Sequence, residues 1–217
     1  VKKLLAGILA AIGISANAQP KPEMVDVNSI LYSMPTVSGD PIEFVVPTKE
    51  SFEGAPELHE DEWCQLEFFP RSELKLIQSK LSEYKIFEQK NRVSSGWKEI
   101  YVRNIQRDKF ALSVEDLAHL EGAVLHPAPL LTTASRPLGQ VKSGFSVSIG
   151  DGALLYGVSE GGVVKSLAAS VYSDVGNSAL TNAYMNIDKK EELILVDWRG
   201  QMIIMGSSAD GKLGVWK

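Results

Sequence analysis

The sequence has very little cysteine and histidine: Cys64 is its only cysteine, and there are three histidines among 217 residues. A lone cysteine cannot form a disulfide within the chain, so packing alone must stabilise the fold. No long apolar run follows Ile14, which predicts no membrane span beyond that point. Basic residues are also in deficit, since 22 Lys and Arg stand against 27 Asp and Glu, a formal net charge of −5. This balance disfavours nucleic acid as a partner and permits a basic protein.

Recognisable catalytic motifs are missing as well. The sequence has no phosphate-binding loop, no Gly-x-Ser-x-Gly elbow and no His-Glu-x-x-His pair. Asp116, His119 and His126 offer a carboxylate and two imidazoles, but their setting favours a helix face and a loop over a metal site. Cys64 stands among aromatic residues, where a small buried side chain is the commoner role. We therefore predict no catalytic residue, no metal ligand and no cofactor, and we expect binding more than enzymatic turnover.

The first eighteen residues have the pattern of a secretory signal peptide. Lys2 and Lys3 precede the apolar run 4–14, and Ala16-Asn17-Ala18 is an A-x-A cleavage site. Cleavage after residue 18 would remove both lysines and leave a charge of −7. Val1 is typical of a GTG start codon translated literally, which indicates a bacterial gene. The sequence thus predicts a periplasmic or secreted protein.

The rest of the chain divides by composition. We predict a loosely ordered, proline-punctuated arm over 19–41, an α+β region over 42–121, a proline-containing connection over 122–143, and an antiparallel β region over 144–217. The two larger regions can form one domain or two.

Local patterns within 42–121 predict strands and helices in alternation. "IEFVV" (42–46) and the aromatic "WCQLEFF" (63–69) predict strands on either side of an acidic loop. Apolar residues at three- and four-residue steps predict an amphipathic helix over about 72–90, capped by Ser72. "WKEIYVRNI" (97–105) predicts a further strand, and a crossover of this length permits parallel pairing with the strand before the helix.

A second, short helix is predicted over about 113–121. Ser113 and Asp116 stand at the spacing of a capping box, in which each side chain accepts a hydrogen bond from the backbone of the other.

The C-terminal third predicts an antiparallel β-meander. Gly150-Asp151-Gly152 between "GFSVSI" and "ALLYGV" is a strong hairpin signal. The segments "VVKSLAASVY", "ALTNAYMNI", "ELILV", "QMIIM" and "KLGVW" then predict successive strands, and continuous apolar runs indicate a sheet covered on both faces. The predicted fold class is α+β, with the meander packed against the helix 72–90; closure of the meander into a small barrel is the alternative.

The stretch "DWRG" (197–200) parts two of these apolar runs. Asp197, Arg199 and Gly200 favour a turn between the arms of a hairpin. Trp198 is then a candidate contact residue for a partner if its ring is exposed, and otherwise covers the neighbouring strand.

Four acidic residues are further candidates for binding a partner: Glu57, Glu60, Asp61 and Glu62. The expected function is an exported, non-catalytic protein-interaction protein of the bacterial envelope, such as an immunity-type inhibitor or an accessory subunit of an envelope machine. The alternative is a periplasmic hydrolase acting on peptidoglycan or peptide with an active site that has no motif. A closed barrel with an apolar cavity would instead indicate a small-ligand carrier.

Overall fold

The computed structural model describes residues 31–107, 109–206 and 213–217. The predicted signal peptide, the first part of the predicted arm (19–30) and the predicted turn "SSADGK" lie wholly or largely outside these residues. The helices of the described part are α1 (Lys49–Phe52), α2 (Leu74–Asn91), α3 (Val114–Ala118) and α4 (Asp174–Asp188). Its strands are β1 (Thr36–Ser38), β2 (Phe44–Val45), β3 (Glu57–His59), β4 (Leu66–Pro70), β5 (Arg92–Val93), β6 (Gly96–Trp97), β7 (Tyr101–Arg103), β8 (Ala123–His126), β9 (Leu130–Thr132), β10 (Pro137–Val141), β11 (Gly144–Ile149), β12 (Ala153–Glu160), β13 (Val163–Val171), β14 (Leu193–Asp197), β15 (Met202–Met205) and β16 (Gly214–Trp216).

An eight-stranded sheet forms the centre, in the order β16-β15-β14-β4-β13-β12-β11-β8. Every neighbouring pair in it is antiparallel. β4 lies between β13 and β14, so the N-terminal half of the chain supplies a central strand to a sheet made mainly by the C-terminal half. The predicted α+β class with a C-terminal antiparallel sheet is confirmed.

One face of this sheet packs against α3 and α4. Phe68 of β4, Leu167 of β13 and Leu195 of β14 share a buried cluster with residues of α4. The helical members lie at three- and four-residue steps, which places them on one side of α4: Leu180, Ala183, Tyr184 and Ile187.

Two separate layers cover the opposite face. At the β14 end α2 packs its buried residues Ile77, Leu81 and Tyr84 against Phe69 and its neighbours. At the β12 end a four-stranded sheet, in the order β2-β10-β9-β3, covers the strands instead. The predicted cover by the helix 72–90 is therefore present, and a second sheet completes it.

Several local predictions agree with the structure. α2 coincides with the predicted helix 72–90 to within two residues at each end, although Glu73 and not Ser72 is its N-cap residue. α3 lies within the predicted helix 113–121, and the capping box between Ser113 and Asp116 is formed. The hairpins β11–β12 and β14–β15 are formed as well.

The prediction of a strand for "ALTNAYMNI" is wrong, because this segment belongs to α4. The Ser173 hydroxyl caps that helix by accepting the Gly176 N–H at 3.2 Å. The capping serine and the helical spacing of the apolar residues outweigh the β tendency of the segment.

The prediction of parallel pairing across α2 was also wrong. β7 pairs in parallel with β1, whereas β4 pairs antiparallel with β13 and β14. The predicted strand 97–105 is interrupted and contains only the short β6 and β7. Likewise the predicted strands 42–46 and 63–69 are shorter, at Phe44–Val45 and Leu66–Pro70.

Two segments expected to be irregular hold strands. Residues 31–41 of the predicted arm include β1, where Thr36 is fully buried. The predicted connection 122–143 contains β8, β9 and β10. β1 pairs with β7, β9 with β3 and β10 with β2, and a local pattern does not reveal partners so distant in sequence. β9 and β10 also pair with each other as a local hairpin. No helix in the described ranges is both long and apolar enough to cross a membrane.

Ile203 gives a test of this packing, because it is fully buried between α2 and the sheet. We expect Ile203→Asn to lower the free energy of unfolding by roughly 3 to 5 kcal/mol, since it removes apolar contacts and buries an unpaired amide. Val215→Asn, at a half-exposed position two strands from β14, is the control and should cost under about 1 kcal/mol. Urea titration followed by tryptophan fluorescence measures both; equal losses would contradict this packing.

Candidate functional site

The "DWRG" stretch is a tight turn that joins β14 and β15. The Asp197 carboxylate accepts the Gly200 N–H at 2.7 Å, which closes the turn from the side chain. Gln201 follows with a φ of 53°, in the left-handed region that tight turns use. The predicted turn is thus confirmed, and Asp197 has a local structural role.

Trp198 is fully buried, so the prediction that it offers an exposed contact was wrong. Its indole Nε1–H donates to Glu67 Oε2 at 3.0 Å, and its ring meets Phe69 edge to face at 6.3 Å between centroids. Ile194, Val196 and Trp198 occupy one face of β14 and its extension. Side chains on a strand alternate between its two faces, and this alternation continues from Val196 to Trp198 beyond the end of β14. The spacing in the sequence could therefore have predicted that Trp198 is buried.

Four buried or half-buried charged residues lie beside this indole: Asp40, Glu67, Arg103 and Arg107, which we call the ionic cluster. Glu67 is fully buried on β4 and pairs through Oε1 with Arg107. Arg107 also contacts Asp40 at 2.6 Å. Because Trp198 and Arg107 take one carboxylate oxygen each, the buried charge of Glu67 is compensated on both sides.

Arg103 extends the ionic cluster toward the turn before β4. Its guanidinium donates to Thr36 Oγ1 at 3.0 Å and to the Cys64 carbonyl at 2.8 Å. It also stacks over the Trp198 ring at 4.8 Å. These contacts fasten β7, which carries Arg103, to β1 and to the chain entering β4.

The pKa values of the two arginines reflect these surroundings. Burial lowers the pKa of Arg103 from its ordinary value. Burial opposes the charge of Arg107 most strongly, but the charges of Glu67 and Asp40 and the hydrogen bond to Asp40 together help to raise that pKa. Guanidinium groups stay charged and cannot act as bases, and the Glu67 carboxylate is fully buried with one contact to each of its oxygens. The ionic cluster therefore has a structural role.

Cys64 is buried in the turn before β4 and has a φ of 55°, so it does not belong to the strand in which it was predicted. Its N–H donates to the Tyr156 hydroxyl at 3.0 Å, and that hydroxyl donates to the Glu62 carbonyl at 2.9 Å. Burial raises the pKa of the Cys64 thiol well above its ordinary value. The thiol is therefore a poor nucleophile, in agreement with the expected packing role.

The four acidic candidates occupy different environments. Glu62 forms a salt bridge with Arg199 at 2.9 Å, so its charge is compensated by the "DWRG" turn. Asp61 lies 3.7 Å from His59 Nδ1, and burial followed by repulsion from Asp61 raises the pKa of Glu60. Glu57 is exposed on β3. Among the four, Glu57 is the one that lies at an open surface depression.

That depression has a volume of about 510 Å³ and lies between α1 and the four-stranded sheet. Its lining residues are Lys49, Phe52, Glu53, Gly54, Ala55, Glu57 and Leu130. Four apolar side chains of the segment 44–52 are exposed, and we call them the apolar surface: Phe44, Val45, Val46 and Phe52. Of these, Phe52 lines the depression. Val46 is 91% exposed and Phe52 54%.

The apolar surface is not predicted from the sequence, because "IEFVV" predicts only a strand and "ESFEG" belongs to a predicted acidic loop. The missed signal is a capping box at Thr48 and Ser51, which begins α1 and turns Phe52 toward the depression. The buried Gln140 amide then donates to the Ser51 carbonyl at 2.6 Å and to the Ala128 carbonyl at 2.9 Å. These bonds hold α1 on the sheet.

Asp116, His119 and His126, which were considered as metal ligands, do not form a metal site. Asp116 caps α3 and pairs with Lys190 at 2.8 Å, and the hydrogen bond from Lys190 lowers its pKa. His119 ends α3, and His126 bonds to Ser148 instead. Within the described ranges no three His, Cys, Asp or Glu side chains are grouped closely enough to hold a metal ion.

Comparisons with known protein families, with curated proteins and with solved structures found no match.

The ionic cluster yields a double-mutant test. Arg107→Met leaves the fully buried Glu67 charge without its ion-pair partner and should lower the free energy of unfolding by about 3 to 5 kcal/mol. Glu67→Gln should cost less, because Arg107 keeps its contact with Asp40. The double variant should lose less than the sum of the two single variants, because no uncompensated charge remains. Chemical denaturation of all four proteins measures the coupling, and strict additivity would show that the pair does not interact.

Cys64 gives a second test. Because its thiol is buried and its pKa is raised, iodoacetamide should leave the folded protein unmodified while alkylating the urea-unfolded chain rapidly. Mass spectrometry over time follows the reaction. Rapid alkylation of the folded protein would contradict the structural role.

Proposed function

We propose that this protein is an exported protein-binding module of the bacterial envelope, which holds a basic protein partner against the apolar surface. The observation that carries the proposal is the exposure of Phe44, Val45, Val46 and Phe52 within the short stretch 44–52. Groups of exposed apolar side chains rimmed by polar residues are typical of interaction sites. The export signal predicted over residues 1–18 supports the proposed location.

The charges around the apolar surface favour a basic partner. Glu50, Glu53 and Glu57 are exposed there, against the single base Lys49 of the same segment. Hydrogen bonds with its own backbone and with Thr48 lower the pKa of Glu50, so that carboxylate is ionised at neutral pH. Acidic groups at the edge of an apolar contact mainly raise the association rate and select the partner.

The other candidate residues are less available to a partner than those of the apolar surface. Trp198 is in the core and Glu62 is paired with Arg199, so the "DWRG" turn offers little free surface chemistry. Among the sequence-predicted residues, Glu57 is therefore our candidate for direct contact, beside Phe52. An immunity-type inhibitor and an accessory subunit of an envelope machine both fit this mode of binding.

The test is capture of a partner from envelope extract, followed by measurement with the purified pair. We expect Val46→Ser combined with Phe52→Ser to weaken binding at least about tenfold, because buried aromatic and aliphatic anchors carry most interface energy. Val215→Ser, another half-exposed valine on β16, and Asp197→Ala are controls that should bind as the parent does. Glu57→Lys should slow association at low salt and have little effect at high salt.

The proposal is overturned if no stoichiometric protein is retained, or if the Val46 and Phe52 variant binds as well as the Val215 control. Thermal unfolding of each variant ensures that a loss of binding does not reflect a loss of fold.

A further inference from the structure

A second, smaller depression lies on the same side of the central sheet, near its β8 edge. Its volume is about 220 Å³, and Gly54 and Pro56 separate it from the first depression. Its lining residues are Gly54, Pro56, His126, Ser148, Gly150, Gly152, Ala153, Leu154 and Tyr172. Two of these side chains, His126 and Ser148, can together perform chemistry.

His126 and Ser148 form a short hydrogen bond, with 2.6 Å between Nε2 and Oγ. The Ser148 hydroxyl has a second acceptor in the Val124 carbonyl, but at 3.4 Å that oxygen is much farther away. In the tautomer with Nδ1 protonated, the Ser148 hydroxyl donates to Nε2 across this distance, and this is the tautomer that serves as a base. A serine hydroxyl bonded to an imidazole nitrogen is the arrangement that activates a serine nucleophile.

The sheet register explains why the two residues meet. His126 of β8 is opposite Ser146 of β11, and Val124 is opposite Ser148. His126 and Ser148 are thus diagonal neighbours on the same face, since side chains two apart point the same way. The alternate residues of β11, Phe145, Val147 and Ile149, fill the core on the other face. That packing holds the backbone of Ser148 in place and leaves its hydroxyl at the depression.

We propose that Ser148 is a nucleophile, activated by His126, that transfers acyl groups from uncharged esters. Ser148 Oγ would bond to the ester carbonyl carbon while its proton passes to His126 Nε2. The carbon–oxygen bond to the leaving group breaks, and the imidazolium returns the proton to the departing alkoxide. Water then attacks the acyl-serine by the same proton route, which releases a carboxylic acid and restores both side chains.

The lining of the depression indicates the substrate class. None of its residues, all of which lie in the described part of the chain, is acidic or is a lysine or arginine. Leu154, Pro56 and Tyr172 offer apolar contact, so the acyl group is expected to be neutral.

The sequence left a hydrolase as the alternative function, without indicating its active-site residues. Ser148 and His126 would supply them. This site is independent of binding at the apolar surface. No carboxylate of the described residues lines the depression to orient His126, so we expect slow turnover and choose a covalent probe as the first measurement.

The experiment treats the purified protein with a fluorophosphonate, which reacts with activated serines by displacement of fluoride. We expect one adduct per chain in the intact mass, and peptide mapping should place it on Ser148. Ser148→Ala should abolish the adduct, and His126→Gln should slow its formation by roughly 10² to 10⁴ fold, the usual contribution of a general base. Ser159→Ala, which removes a hydroxyl on β12 outside the lining, should react as the parent does.

Hydrolysis of p-nitrophenyl acetate provides a second measurement. An imidazole alone can cleave this ester, so retention of the full rate in Ser148→Ala would overturn the role of the serine. The proposal is also overturned if the folded parent gives no adduct, or if His126→Gln labels as fast as the parent. Matched thermal melts of the variants exclude loss of fold as the cause of a negative result.

Discussion

The fold depends on one buried carboxylate. Glu67 points from the middle of the central sheet toward the side that α2 and the ionic cluster occupy, and a lone charge there would cost several kcal/mol. Its two oxygens are met from opposite directions, one by the Trp198 indole and one by Arg107. Through these contacts a single strand residue holds the β14–β15 turn and the chain that follows β7. Arg103 then ties the same group to β1, so segments far apart in sequence share one set of interactions.

Side chains that take part in these internal contacts are not available at the protein surface. The tryptophan and the arginines that would suit recognition of a partner are buried around Glu67, and Arg199 is occupied by Glu62. The features left available lie at the other end of the same face, at the four-stranded sheet and at the β8 edge of the central sheet. They are the apolar surface at β2 and α1 with its acidic rim, and the depression beyond Pro56. The residues that stabilise the fold are thus different from those that we propose for binding.

The sequence predicted best those features that are encoded within a dozen residues. The spacing of Ile77, Leu81 and Tyr84, the capping box at Ser113 and the turn at Asp197 each leave a local pattern, and each is present. The insertion of β4 between β13 and β14 leaves none, because strand pairing at long range depends on the whole chain. α4 was not predicted because its apolar residues also suit a strand, although Ser173 before it is a typical N-cap residue. Ser148 and His126 meet only through the register of two strands, which no motif records.

The central position of β4 also has a consequence for how the protein forms. Phe68 pairs with Leu167 on one side and with Leu195 on the other, and both partners are made long after it. Contacts this distant in sequence slow folding, because a long loop must close before they form. Until then the sheet contacts of Phe68 are not formed, so a chain that has not yet received β13 and β14 leaves this side chain without its cover in the central sheet.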